Sequence, residues 1–345
     1  MKERIEYIDA LRGFTMLLVV YAHVRLYGYH QIDDITPNSF NSFFLFIRMP
    51  LFFFISGFLF YKKERNHIGE FILNKAKIQL LPSIIFMFIY AFLFNYNFYD
   101  GLFDVYKLGY WFTIALFMFF IVFIAIDYIL SLSHLSVRFK DYIWLIVALI
   151  FHFATTDKCM HLLGLYGKTS LFLGIIQFKY FLFFIIGILI KKHFKAFMNW
   201  KDKKYTMAIL IIAFFAVTIP ILKFSPLSHN VWFKHFIFIY TGCLGIFIIF
   251  LYFNKYQNSF TSQTLLGKTF QYIGKRTLDI YLLHYFFLPR DLEGLGNHFV
   301  NFANPCLEIF ISIGVSFMVI GLCLITSNII RISPWLGKHL LGAKN

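Results

Sequence analysis

Asp9-Ala-Leu-Arg12-Gly-Phe-Thr-Met-Leu-Leu-Val-Val-Tyr-Ala-His23 opens the first apolar segment of the chain. Eleven positions separate Arg12 from His23, so at about 100° per residue both face the same way, roughly 16 Å apart along a helix axis. One face of an apolar helix then carries a permanent cation near one end and a proton-exchanging ring deep inside. Such groups are costly in hydrocarbon and mark function by default. A snorkelling Arg and a His bonded to a neighbouring helix are the plain structural alternative. Asp9, three residues before Arg12, is placed to pair with it.

The rest of the composition agrees with a membrane setting. The 345 residues are 59% hydrophobic and 14% charged, with mean hydropathy +0.70. Apolar runs near 11–29, 40–61, 78–97, 109–131, 142–156, 170–190, 206–224, 233–253, 273–289 and 305–330 predict an all-α, polytopic membrane protein, a bundle of about ten transmembrane helices. The first segment lacks a convincing cleavage site and should remain as a span. One transmembrane domain with no fused soluble domain is the expectation. The four cysteines have neither pair nor metal spacing, so neither a disulfide framework nor a metal site is expected.

The net charge of +15 does not point to nucleic acid, because the basic residues lie between apolar segments. Under the ten-span topology 23 Lys and Arg fall on one side, six on the other, and Arg25, Arg48 and Lys179 within spans. That asymmetry predicts both termini in the cytoplasm. Arg12 then lies near the cytoplasmic face and His23 in the outer half of the bilayer.

Several further residues are candidates for chemistry. Arg48 lies inside the second run ahead of Pro50, and needs an anionic or polar partner there. Lys75 and Lys77 end a basic stretch, 62–77, that reads either as topology determination or as a mouth for a polyanion. Trp111 opens the fourth run, where an aromatic belt is the alternative. Lys179 lies within the sixth. Tyr281, His284 and Tyr285 share a face of the ninth by helical spacing. No Walker loop, dinucleotide fingerprint, HExxH or GxSxG occurs.

Taken in order, these segments resemble the acyltransferase-3 family of bacterial membrane-bound O-acyltransferases. The matching stretches are Asp9-Ala-Leu-Arg12 with His23, Met49-Pro-Leu-Phe-Phe-Phe-Ile-Ser-Gly57-Phe, the Lys-rich approach to Leu81-Pro82, Trp111-Phe112, Phe-Phe-x-x-Gly187 and Ile280-Tyr-Leu-Leu-His284. The resemblance implies transfer of an acetyl or other acyl group from an acyl-CoA co-substrate to a carbohydrate hydroxyl, with no permanently bound cofactor. The essential Arg-x10-His pair of that family maps onto Arg12 and His23. Its basic motif is usually arginine; Lys75 and Lys77 keep the charge and lose the bidentate fork. The expected partners are acyl-CoA, a carbohydrate acceptor, the lipid bilayer and polysaccharide assembly proteins.

Acyl transfer gives these residues roles. His23 would be the general base, or alternatively a covalent acetyl carrier. Arg48 or Lys179 would stabilise the oxyanion, and Tyr281 and His284 would position the acceptor. A transporter of a glycan or small anion is the competing class, since intramembrane His and Arg also suit substrate paths. Acyl-CoA dependence separates the two.

Overall fold

The computed structural model describes residues 5–29, 44–62, 67–201, 205–223, 231–302 and 304–343. All regular structure among them is helical, and they contain no strand. This is the outcome expected of apolar segments in lipid, where backbone groups must be satisfied within each segment. Five helices are long and apolar enough to cross a membrane: Glu6–Gly28, Ile68–Leu93, Trp111–Ser131, Trp232–Lys255 and Cys306–Ile330. Arg48–Phe60 and Thr206–Ile221 are apolar but shorter.

The chain divides into two units, one formed by Met1–Ile55 and His193–Ile325, the other by Ser56–Lys192 and Thr326–Asn345. In the first unit the Glu6–His23 helix is the enclosed element: 83% of its span is buried, against 28–39% for the other four. It owes this to a close crossing with the helix Leu265–Lys275. Gly13 and Gly274 face each other there, and a Cβ on either would collide with the opposing backbone, at the Phe270 carbonyl and the Asp9 carbonyl respectively. Small residues at a crossing let two backbones meet in this way. Phe14 packs on Phe253 and Phe270 beside the crossing, and Tyr7 packs on Phe250.

Two departures from regular helix shape this unit. After His23 the backbone widens into a π segment, Val24–Gly28. The apolar run expected near 273–289 is two helices, Leu265–Lys275 and Thr277–Phe287, broken at Arg276 (φ −111°, ψ 18°).

The second unit is cemented by aromatic rings. Phe60 stacks on Phe120 at 4.7 Å between centroids and Phe123 on Trp144 at 4.5 Å. Gly57 has no space for a Cβ against the Phe184 carbonyl. The helix expected from residue 78 starts at Ile68 and passes through a π turn, Ala76–Leu80, before Leu81–Leu93. Its charged first turns remain helical, with the Lys75 ammonium lying over the Phe71 and Phe120 rings. The run 170–190 is interrupted at Gly174 (φ +68°), which separates Lys168–Leu173 from a 3-10 turn, Ile175–Tyr180, and the helix Phe181–Lys192. The expected 142–156 run is the C-terminal part of Val137–Ala154. Residues 40–43 of the second expected run lie outside the described residues.

Candidate active site

His23 and His284 come from opposite ends of the sequence and meet. Their rings stack at 5.0 Å with a 17° interplanar angle, and His23 Nδ1 lies 2.9 Å from His284 Nε2. His284 is fully buried, and its Nδ1 reaches the carbonyls of Ile280 at 3.0 Å and Tyr281 at 2.9 Å. Carbonyl oxygens only accept, so His284 Nδ1 carries a proton. For two neutral imidazoles the rest follows: His284 Nε2 accepts, His23 Nδ1 donates to it, and His23 Nε2 holds a free lone pair. That nitrogen meets the Tyr285 hydroxyl at 3.4 Å, a long and readily displaced hydrogen bond. His23 is also the half-buried member of the pair, so the basic nitrogen belongs to the reachable ring. The tautomer of the front ring is thus fixed from behind, with backbone carbonyls orienting the rear ring.

The local sequence builds this arrangement. Thr277–Phe287 restarts after the Arg276 break, and His284 is turned back onto the carbonyls three and four residues before it. On the first helix, Arg12 sits at the end opposite His23. Its Nη2 donates to Thr277 Oγ1 at 2.7 Å, and its Nη1 lies 3.7 Å from Asp9 Oδ1. Arg276 Nη1 in turn pairs with Asp279 Oδ2 at 3.2 Å. Two part-exposed guanidiniums, each steadied by a buried carboxylate, thus flank Thr277.

Arg48 opens the helix Arg48–Phe60 and belongs to the same unit as His23. Tyr281 contributes its carbonyl to His284, with the two rings 6.2 Å apart. The remaining sequence candidates lie in the second unit. Lys75 is held over two phenyl rings, and Lys77 is exposed. Trp111 stacks on Tyr180 at 5.6 Å. The Lys179 ammonium lies over the Tyr180 ring, while the Lys179 carbonyl accepts a hydrogen bond from His152 Nδ1 at 2.7 Å.

The structure adds residues that sequence reasoning did not select. Thr277 and Arg276 carry no motif, and only the crossing at Gly274 brings them to Arg12. Glu308 had a signal: it is the single acid in the apolar helix Pro305–Ile330, where an ionisable side chain is a functional hypothesis by default.

An all-helical membrane protein with an enclosed Arg12–His23 helix and a histidine pair, one ring buried and one half-buried, is the class defined by this fold. An acyltransferase-domain model, that of the acyltransferase-3 family, matches residues 5–336. The chain belongs to the acyltransferase-3 family and is a membrane acyltransferase. No curated protein and no solved structure matches it.

Proposed function

We propose that the protein moves an acetyl group from cytoplasmic acetyl-CoA to a hydroxyl of a cell-surface or exported carbohydrate, with His23 as general base. The observation that carries this reading is the 2.9 Å approach of His23 Nδ1 to His284 Nε2, with His284 Nδ1 on two carbonyls, which for neutral rings leaves His23 Nε2 as the acceptor. A sugar hydroxyl that displaces Tyr285 gives its proton to His23 Nε2 as its oxygen bonds to the thioester carbon. The tetrahedral oxyanion gains charge stabilisation from Arg48. As the C–S bond breaks, the thiolate leaves and takes the proton back from the His23 imidazolium, so atoms and charge balance.

CoA is a nucleotide polyanion on a long neutral arm that ends in the thioester. Arg12 and Arg276 suit its phosphates. The axial distance of about 16 Å from Arg12 to His23 suits the arm. Lys75, Lys77, Trp111 and Lys179 remain proposed substrate-binding residues. Acetyl as the acyl group, the inner membrane as location and cytoplasmic termini belong to the same proposal. Polysaccharide assembly proteins are its proposed partners.

The test is to compare surface glycans of native-host cells carrying wild type, His23→Ala or empty vector by mass spectrometry. An acetyl increment present only with wild type supports the reaction and the base. No increment on any glycan sinks the reading.

A further inference from the structure

Past the histidine pair, the first helix enters the π segment Val24–Gly28, and π turns of this kind recur at functional sites. Arg25, at its second position, is 1% exposed, and its Nε lies 2.5 Å from Oε1 of the buried Glu308. One turn further on, the Tyr29 hydroxyl lies 2.9 Å from Ser312 Oγ. Both steps are four residues, so two rungs tie segment 24–29 to the Pro305–Ile330 helix.

A third tie comes from another direction. Leu292 N–H donates to the Gly28 carbonyl at 3.1 Å. Gly28 packs against Pro289, and a Cβ at Gly296 would meet the Tyr29 backbone at 2.7 Å. The stretch 288–296 follows directly from the helix that carries His284. Both histidine-bearing helices therefore run into one clasp within a few residues of the rings.

A buried ion pair is a weak source of net stability, because desolvation offsets the attraction. Breaking it by removing one partner is costly, so it holds one arrangement against others. We propose that Arg25 and Glu308 are a positioning pair. By fixing the π turn they keep His23 Nδ1 on His284 Nε2, and so decide which His23 nitrogen is free. Neither residue is assigned contact with substrate. The inference rests on the acyl-transfer reading for its catalytic meaning, while the geometry it claims is testable without activity.

The experiment uses the full-length protein in nanodiscs with 15N-labelled histidine, the two rings being assigned through His23→Gln and His284→Gln. Wild type, Glu308→Gln, Arg25→Gln, Tyr29→Phe and the exchange Arg25→Glu/Glu308→Arg are compared, each also assayed for acetyl transfer. Glu308→Gln and Arg25→Gln are expected to move both imidazole resonances and lower kcat by about tenfold or more, with KM for the acyl donor nearly unchanged. The exchange variant is expected to return the resonances towards wild type. Tyr29→Phe, which removes a rung without touching charge, gives a smaller movement and serves if a charge variant does not accumulate. Unmoved resonances in the variants that accumulate overturn the proposal. Moved resonances in the variants, together with a wild type that transfers no acyl group, uphold the clasp and overturn the acyl-transfer reading instead.

Discussion

The Nδ1–H of His23 points at His284 Nε2 across 2.9 Å, and this relationship orders the chemistry of the whole first unit. A lone imidazole presents either nitrogen. Here the rear ring, bonded to two carbonyls, leaves one choice.

Replacing the rear ring should therefore damage catalysis without removing the base. His284→Ala is expected to lower kcat by on the order of 10²-fold, the scale of a mispositioned general base. His23→Ala is expected to abolish transfer. Steady-state kinetics with a defined acceptor check both, and wild-type kcat in His284→Ala would exclude the orienting role of the rear ring.

The Gly13–Gly274 crossing sets Arg12 beside Thr277, and it tolerates no side chain. Gly13→Ala and Gly274→Ala each drive a Cβ into backbone. A loss of about 1–3 kcal/mol is expected, the usual scale of overpacking. Gly314 is the contrast: a Cβ there meets nothing within 4 Å. Gly314→Ala should hold or raise stability, by up to about 1 kcal/mol of helix propensity. Thermal unfolding in detergent separates the two signs.

In the second unit, Lys107 is 1% exposed and adopts a left-handed backbone (φ 48°). Its ammonium donates to the Leu102 and Leu171 carbonyls at 2.8 and 2.7 Å. Burial pulls its pKa down to about 8, with Asp104 opposing the shift. Between about pH 8 and the ordinary lysine value of 10.5, the unfolded chain binds the proton that the folded chain has released. Stability from this group therefore rises with pH through that window. The neutral amine still has two N–H groups for the two carbonyls. The unfolding temperature of wild type minus that of Lys107→Met should increase from pH 8 to pH 10; a flat or falling difference would count against it.

Topology is open to a chemical probe. Cys306 is exposed at the start of the last apolar helix, whereas Cys323 is buried along it. With cytoplasmic termini, a variant retaining only Cys306 should react with a membrane-impermeant maleimide in intact cells. Reaction only after permeabilisation would invert the orientation drawn from the basic residues.

Much of this was legible in the chain. Apolar run length set the all-helical class, and helical spacing alone put Arg12 and His23 on one face. Spacing states where a side chain faces and is silent on what it meets. His284 read as an acceptor-binding residue, because nothing in the run Ile280–Tyr285 names a partner 261 residues away. Arg25 read only as a charge within a span and Glu308 was passed over, because only packing makes them a pair. The break at Gly174 follows from a left-handed backbone that hydropathy does not sense. The helical extension back to Ile68 was masked by its lysines, whose charges read as loop although Lys75 rests on phenyl rings.

The hydrogen-bonded chain from His23 ends on the Ile280 and Tyr281 carbonyls, groups that accept a hydrogen bond and pass nothing on. Under the proposed mechanism, a proton taken up at His23 Nε2 cannot pass onward through those carbonyls. Conducting relays in pumps need titratable groups in series, and behind His284 the series gives way to backbone carbonyls. If His23 is the base, its rear side is insulated: the pair ends on backbone, and that side offers the proton no titratable group to move to.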